Sequence, residues 1–307
     1  MDTMDLIGEG KIQRYFRSTK KLNVPNLVSH VTQRAAGKEP SFLEDSDYLT
    51  MLGLVKEIAE NYSLRIFAFC LMPNHVHLLF SPREPNLYDA MRDLFSRYAM
   101  RFNRKYERKG HLFGGPYRQS VCLDDSYLLA ASLYIHQNPV RAGLATDPLN
   151  YRWSSCRLYC KDGAPKSFID SAFILKLLPK GEVSRKERYR RLLKQGGELE
   201  TGEVLEQEDA IERFRSKLTS MFPSLFKRLA RKKQIARFSG IDLLDIEELE
   251  KQIEAMRTGQ FPDKPESKKA KKHLIEQLIA RGYKRAEIAE RLGVSRKTVY
   301  NILKSPT

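Results

Sequence analysis

Two histidines, His75 and His77, stand two residues apart inside the apolar run 69–80. In a β-strand the residues at i and i+2 leave the same face, so both imidazoles are predicted to point to one side of a sheet. Neutral imidazole is a common metal ligand, and two adjacent imidazoles form a ready pair of ligands. The pattern predicts a metal site on this strand. The alternative is a strand whose histidines only pack in the core.

A second segment, residues 133–143, offers a candidate third metal ligand and a candidate nucleophile. A spacing of four places Tyr134 and Asn138 one above the other on a single helix face. Asn138 can offer a carbonyl oxygen, and a mixed imidazole and amide-oxygen site suits Mg²⁺ or Mn²⁺ with positions open for a phosphate. The phenol of Tyr134, with an ordinary pKa of about 10, is a poor nucleophile alone. A metal that polarises a phosphodiester would offset the charge that develops during attack.

Other residues compete for these roles. Tyr127 is a rival nucleophile about two helical turns before Tyr134, although no asparagine follows it by four residues. His136 and Gln137 flank the site and are alternatives to Asn138 as the third ligand, or as groups that assist proton transfer.

The elements that position these residues follow from hydrophobic spacing. Strands are predicted at residues 27–35, 64–71, in the run that carries the histidines and at 117–123, and helices at 46–60, 86–106 and 126–138. The strand 64–71 is apolar on both faces and is predicted to be central. The helix 126–138 should end near Asn138 because Pro139 follows. This order predicts an α+β fold with a largely antiparallel sheet and packed helices. His30 and His111 are predicted to be structural.

The second half of the chain has a different character. Residues 168–265 are helix-prone and charged, and residues 258–272 have linker composition. Residues 285–303 predict a helix-turn-helix, with Gly293 in the turn and Ser295 as N-cap, and an ordinary helical hairpin is the alternative. The residues predicted to meet DNA from its second helix are Ser295, Arg296, Lys297, Thr298, Tyr300 and Asn301.

Composition indicates a polyanionic partner. The 307 residues include 54 Lys and Arg against 38 Asp and Glu, for a net charge of +16 and a pI near 9.6. Nucleic acid is the simplest such partner, and the absence of a long apolar segment argues against a membrane. Residues 1–25 show no signal peptide, and the four cysteines fit free thiols in a cytoplasm. The basic residues predicted to contact DNA in the first half are Arg97, Arg101, Arg104, Lys105, Arg108, Arg118 and Arg141.

Several motifs occur in one order: His30–Arg34, Met72–Leu79, Arg97–Tyr98, Phe102–Arg104, Gly110–Phe113, Tyr134–Leu144 and Trp153–Ser155. Over roughly residues 15–160 the chain resembles the one-tyrosine His-hydrophobic-His transposases, specifically their REP-associated branch. The resemblance implies a ferredoxin-like fold in which His75, His77 and Asn138 bind a divalent metal and Tyr134 is the nucleophile. It also implies cleavage and rejoining of hairpin-bearing single-stranded DNA through a 5′-phosphotyrosine intermediate.

Together with the change in composition after residue 159 and the helix-turn-helix pattern, this resemblance predicts a catalytic domain (1–165), a charged helical region with a linker (166–265) and a helix-turn-helix module (266–307). Single-stranded hairpin DNA is the expected partner, with duplex DNA at the C-terminal module. A monomer or homodimer in the bacterial cytoplasm, associated with the nucleoid, is expected. A rolling-circle-type nickase and a non-catalytic DNA-binding regulator are the alternatives. Relaxases usually order their tyrosine and histidines differently, and an intact site argues against a decayed enzyme.

Overall fold

The computed structural model describes residues 15–16, 21–163, 166–197, 210–230, 244, 246–258, 265–280, 283 and 285–304. The chain divides into two compact units. The first spans residues 14–230, and the described part of the second spans 244–304. The division after residue 165 suggested by the sequence therefore falls inside the first unit.

The first unit is built on a five-stranded antiparallel sheet. Its strands are β1 (Tyr15–Phe16), β2 (Ser29–Arg34), β3 (Leu64–Met72), β4 (His75–Pro82) and β5 (Arg118–Val121), in the order β1-β5-β2-β4-β3. Helix α1 (Asp45–Asn61) joins β2 to β3, α2 (Leu87–Lys105) joins β4 to β5, and α3 (Asp125–Arg141) follows β5. The last strand of this βαββαβ unit pairs with the first, which is the ferredoxin-like arrangement. The predicted α+β class is confirmed.

The sheet separates two sets of side chains because residues alternate along β4. Val76, Leu78 and Phe80 pack in the core that contains α1 and α2, whereas Leu79 packs in the core that contains α3. His75 and His77 share the face of Leu79. The predicted histidine face is therefore the one that α3 covers.

The prediction that the apolar strand 64–71 is central is wrong, since β3 lies at an edge of the sheet. Two later segments cover that edge and bury the strand. The amide nitrogen of Leu71 donates to the carbonyl of Trp153 at 2.9 Å, and that of Asp170 donates to the carbonyl of Ile66 at 2.8 Å. Loops therefore satisfy the backbone groups that a neighbouring strand would otherwise pair.

Helix α3 also differs from its prediction, because it continues past Pro139 to Arg141. Proline has no N–H and removes one helical hydrogen bond. The bonds after it survive: the amide of Ala142 donates to the carbonyl of Asn138 at 2.9 Å, and that of Leu144 donates to the carbonyl of Pro139 at 2.8 Å. The extra turn keeps Arg141 on the face of α3 that carries Tyr134, two turns away.

Five more helices follow in the first unit: α4 (Cys156–Cys160), α5 (Ser171–Leu175), α6 (Arg185–Gly197), α7 (Ala210–Met221) and α8 (Pro223–Ala230). Helices α6, α7 and α8 all contact α3, so residues 125–139 of α3 are buried without a break. A helix that is buried all round has no single amphipathic stripe. The nucleophile candidate therefore stands on a helix packed between the sheet and these later helices.

The second unit has four described helices, α9 (Ile246–Arg257), α10 (Pro265–Ala280), α11 (Arg285–Leu292) and α12 (Arg296–Lys304). Gly293, at φ +67°, makes the turn before α12. The hydroxyl of Ser295 accepts a hydrogen bond from the Thr298 amide at 3.0 Å, as an N-cap does. Residues 265–272 belong to α10 rather than to a linker, since Pro265 starts a helix that packs on α9.

Among the helices that the structure describes, none has both the length and the hydropathy needed to cross a membrane.

Candidate active site

His77 is the centre of a group of polar side chains on the α3 face of the sheet. It is 3% exposed, and strand register places Thr32 of β2 directly opposite it. Nδ1 of His77 lies 2.9 Å from Nε2 of His30 and 3.2 Å from Oγ1 of Thr32. The rings of His30 and His77 stack, with centroids 5.1 Å apart.

One tautomer of His77 leaves its Nε2 as the nitrogen that can bind a metal. When Nδ1 carries the proton, it donates to Nε2 of His30, and the lone pair of His77 is on Nε2. Within the described part of the chain, that Nε2 is buried and has no hydrogen-bond partner. Burial, followed by the charges of His75, His30 and Arg34, holds the pKa of His77 well below 6.5. The imidazole is therefore neutral at pH 7, which is the form that coordinates a metal.

His75 lies beside His77, with ring centroids 4.8 Å apart and planes nearly perpendicular. Its Nδ1 is 2.7 Å from Oδ1 of Asn74, the residue that turns β3 into β4. Asn74 orients this ring as His30 and Thr32 orient that of His77. Hydrogen bonds of this kind fix the ring and tautomer of a metal-binding histidine.

Tyr134 of α3 faces the histidine pair. Its ring meets that of His77 edge to face, with centroids 6.2 Å apart, and it is 3% exposed. On its other side lie Phe214 of α7, at 6.1 Å between centroids, and Arg141, whose guanidinium carbon is 5.3 Å from the ring centroid. The structure thus brings the predicted nucleophile against the predicted ligand His77.

Asn138 is buried one turn beyond Tyr134, on the helix that packs against β4. Its amide nitrogen donates to the Tyr134 carbonyl at 3.1 Å, so the other polar atom of its side chain is Oδ1, an oxygen of the kind that divalent cations bind. Among the described residues, no three His, Cys, Asp or Glu side chains cluster as metal ligands. A cation here would therefore take an oxygen such as that of Asn138. The Nε2 of His77, which has no hydrogen-bond partner in the described chain, and the two imidazoles held by hydrogen bonds fit a divalent ion.

The structure gives the competing residues other partners. The two ring nitrogens of His136 lie 2.8 Å from the hydroxyls of Tyr189 and Ser155, so neither is left for a metal. Gln137 donates to the carbonyl of Leu193 on α6. Tyr127 is fully buried in the core, and in the described chain the tyrosine ring that contacts His77 is that of Tyr134.

The predicted basic stripe on α2 lies on the opposite face of the sheet from His77. Arg97 donates to both carboxylate oxygens of Glu57, at 2.8 and 2.9 Å. Lys105 lies 2.6 Å from Asp47, and Arg108 pairs with Glu39. Arg101 and Arg104 are exposed. The stripe and the histidine site are therefore separate surfaces of the first unit.

Two other predicted DNA contacts lie on the histidine side. Arg118 on β5 stands directly opposite Thr32 on β2, which stands opposite His77 on β4. Directly opposed residues share a face, and two strand spacings separate Arg118 from His77 by about 10 Å. Arg141 lies against Tyr134 itself. In the second unit, Arg296, Lys297, Tyr300 and Asn301 are exposed on α12, while Ser295 and Thr298 form its cap.

Three contributors to the site, His30, Thr32 and Phe214, were missed by sequence reasoning. His30 and Thr32 alternate as His75 and His77 do, so their shared face was readable from a strand pattern, although their pairing with His77 was not. Phe214 carried no signal, because its contact with Tyr134 joins residues 80 positions apart. Long-range packing of this kind leaves no periodic trace in either segment.

Two segments of the chain match known protein families. Residues 23–138 match the family model described as IS200-like transposase, and residues 266–306 match that of the homeodomain-like domain. Among solved structures, that of a REP-associated tyrosine transposase bound to a REP hairpin aligns with a TM-score of 0.41 and 12% sequence identity. The alignment covers 50% of this chain and 98% of that chain. None of the curated proteins is similar to this chain in sequence.

Proposed function

We propose that this chain is a DNA transposase that cleaves and rejoins hairpin-bearing single-stranded DNA through Tyr134. The match of residues 23–138 to the IS200-like transposase family model supports the proposal. The observation that carries the proposal is the contact between Tyr134 and His77, whose buried Nε2 has no partner in the described chain. A phenol beside a pair of oriented imidazoles is an arrangement suited to phosphoryl transfer.

The proposed reaction exchanges one phosphodiester for another. The Oη of Tyr134 forms a bond to phosphorus while the bond from phosphorus to the 3′ oxygen breaks. The phenol proton leaves to solvent, and the 3′ oxygen takes up a proton to become a hydroxyl. The product is a 5′-phosphotyrosine, and attack by a 3′-hydroxyl reverses the step. Because no phosphodiester is hydrolysed, strand joining needs no ATP.

The side chains around Tyr134 have separate tasks in this scheme. His75, His77 and Asn138 would hold a divalent ion, which supplies positive charge to the phosphate when bound. His30, Thr32 and Asn74 orient the two imidazoles, so the ligands need no rearrangement at the moment of reaction.

Burial of the site favours a single strand as the substrate. Tyr134 and His77 are each only 3% exposed, so a phosphate must enter a recess to meet them. A duplex carries its phosphates on a stiff cylinder, with a persistence length of about 150 base pairs. A single strand can bend its backbone into a recess and be held by basic and aromatic side chains.

The test compares cleavage of three DNAs by the full chain with Mg²⁺ or Mn²⁺. These are a strand with a hairpin, the same bases shuffled so that no hairpin forms, and the full duplex of the first. The proposal predicts that the hairpin strand is cut fastest, with the 5′ end of one product blocked by protein. Equal or faster cutting of the duplex, or cutting with no protein attached, would contradict it. Binding without cleavage would favour the DNA-binding regulator.

A further inference from the structure

Arg141 lies against Tyr134 as a partly buried cation. Its guanidinium carbon is 4.5 Å from the ring centroid of Phe214 and 5.3 Å from that of Tyr134. Within the described part of the chain, its Nε and Nη2 are buried and have no hydrogen-bond partner. Arginine stays protonated in proteins, so a positive charge is held beside Tyr134 with two of its donor nitrogens unsatisfied.

Two other arginines of the same unit, Arg215 and Arg152, form ion pairs. Arg215 on α7 lies 3.6 Å from Asp124 and also contacts Glu212, and Arg152 lies 2.5 Å from Asp45. A buried charge without a partner is costly, and its donors are normally satisfied. Arg141 makes no ion pair with any described carboxylate. An anion that enters the site would supply the missing acceptor.

Stacking controls how Arg141 can bind that anion. A guanidinium that lies over aromatic rings uses its faces for those contacts, and its N–H donors point outward in its own plane. Planar donors match the oxygens of a phosphate. Phe214 is fully buried, so the ring that supports Arg141 is rigidly held. It comes from α7, which lies outside the segment that matches the transposase family.

We infer that Arg141 is a catalytic residue that binds a non-bridging oxygen of the scissile phosphate, and that Phe214 of α7 is the positioning residue that holds its guanidinium beside Tyr134. This inference rests on the proposed function and adds a cation from the chain itself to the site. It also makes α7 part of the active site. Arg141 then stabilises the charge that builds on the phosphate as the bond from Tyr134 Oη to phosphorus forms.

The test measures the rate of covalent adduct formation in a single turnover on two versions of one hairpin strand. One version has the normal phosphodiester at the cleaved position mapped with the wild-type enzyme. The other has a methylphosphonate there, which replaces one charged oxygen by a methyl group. On the phosphodiester, Arg141→Ala should slow the reaction by about 100-fold or more, the loss typical of one oxyanion-stabilising donor. Arg141→Lys should recover part of the rate.

On the methylphosphonate the gap between wild type and Arg141→Ala should shrink to about threefold, because the charge that Arg141 binds is gone. Arg141→Met keeps a long apolar stem against Phe214 and should behave as Arg141→Ala does, which separates loss of charge from loss of packing. Arg152→Ala removes another arginine stacked on a ring, that of Trp153. It should match wild type on both strands.

Phe214→Leu should slow the phosphodiester reaction by about threefold to tenfold, as expected for a lost cation–π contact, and leave the methylphosphonate reaction unchanged. Phe226→Leu makes the same exchange in buried α8 and should be neutral. An equal defect of Arg141→Ala and Arg141→Met on both strands, or no defect, overturns the inference. If wild type forms no adduct with any hairpin strand, the proposed function itself fails.

Discussion

At the scale of single residues, the site depends on one nitrogen of His77. Its Nδ1 faces His30 and Thr32, and its Nε2 is buried with no acceptor or donor in the described chain. Burial, followed by the charge of His75, lowers the pKa of His30 to about 4. His30 is therefore neutral at pH 7 and can accept the proton that His77 offers.

Removing these histidines should change metal affinity by different amounts. His77→Ala deletes a ligand and should abolish Mn²⁺ binding, measured by titration calorimetry on the full chain. His30→Ala deletes only the group that orients the ligand and should weaken binding by about 10- to 100-fold. His111→Ala, on an exposed loop away from the site, is the control and should bind as wild type does. Equal Mn²⁺ affinity in His77→Ala and wild type would show that this strand holds no metal.

Residue patterns predicted part of this site. The alternation of His75 and His77, and the spacing of Tyr134 and Asn138, were enough to predict a shared strand face and a shared helix face. They were not enough to predict Phe214, because its role depends on how α7 packs across the chain. His30 lies between these cases: its strand was predicted, but its partner follows only from the register of β2 with β4.

At the scale of elements, the main departure from prediction is the packing of α3. The helix was predicted to lie in a catalytic domain that ends at residue 165, and instead the later helices α6, α7 and α8 enclose it. The hydroxyl of Tyr189 on α6 contacts both His136 and Ser132 of α3. Long-range contacts also explain β3, which is apolar because its two faces pack in two different cores, while loops satisfy backbone groups at its edge.

The contact between His136 and Tyr189 predicts a pH dependence of stability. Burial lowers the pKa of His136 to about 3, whereas an unfolded histidine titrates near 6.5. The stabilisation is thus fully present above pH 6.5. Below pH 6.5 the free energy of unfolding falls by about 1.4 kcal/mol per pH unit, because only the unfolded chain takes up the proton. His136→Gln should remove the contribution of this histidine to the slope of the unfolding free energy against pH between pH 6.5 and 5.

Urea unfolding followed by Trp153 fluorescence measures this slope for the first unit, since Trp153 is the single tryptophan. Tyr189→Phe is the matched control: it removes the hydroxyl but keeps His136, so it should lower stability at every pH and leave the slope unchanged. A His136→Gln variant with the wild-type slope would mean that His136 does not stay neutral in the folded protein.

At the scale of the whole molecule, the +16 charge is divided between two units with different structures. The first has an α+β sheet with the candidate active site, and the second has a helix-turn-helix that matches the homeodomain-like model. Composition predicted a polyanionic partner for the chain as a whole. It could not predict that the α2 stripe and the histidines lie on opposite faces of one sheet, because that depends on topology.

Exposed cations on α12 should contribute duplex affinity without contributing to cleavage. The full-length double variant Arg296→Ala/Lys297→Ala should reduce the slope of log K against log salt on duplex DNA by about 2, near 0.9 for each lost phosphate contact. It should cut a short hairpin strand at the wild-type rate. Lys251→Ala/Arg257→Ala removes the same charge from exposed positions on α9 and should leave the slope intact. An unchanged slope in the α12 variant would mean that this helix does not bind DNA phosphates.

The most direct test of the central claim is to identify the residue that becomes joined to DNA. Wild-type enzyme is incubated with a hairpin strand and a divalent metal, digested, and analysed by peptide mass spectrometry. We expect the nucleotide on Tyr134, no adduct in Tyr134→Phe despite DNA binding near that of wild type, and a normal adduct in Tyr127→Phe. A nucleotide found on Tyr127, or an adduct that persists in Tyr134→Phe, would contradict the account.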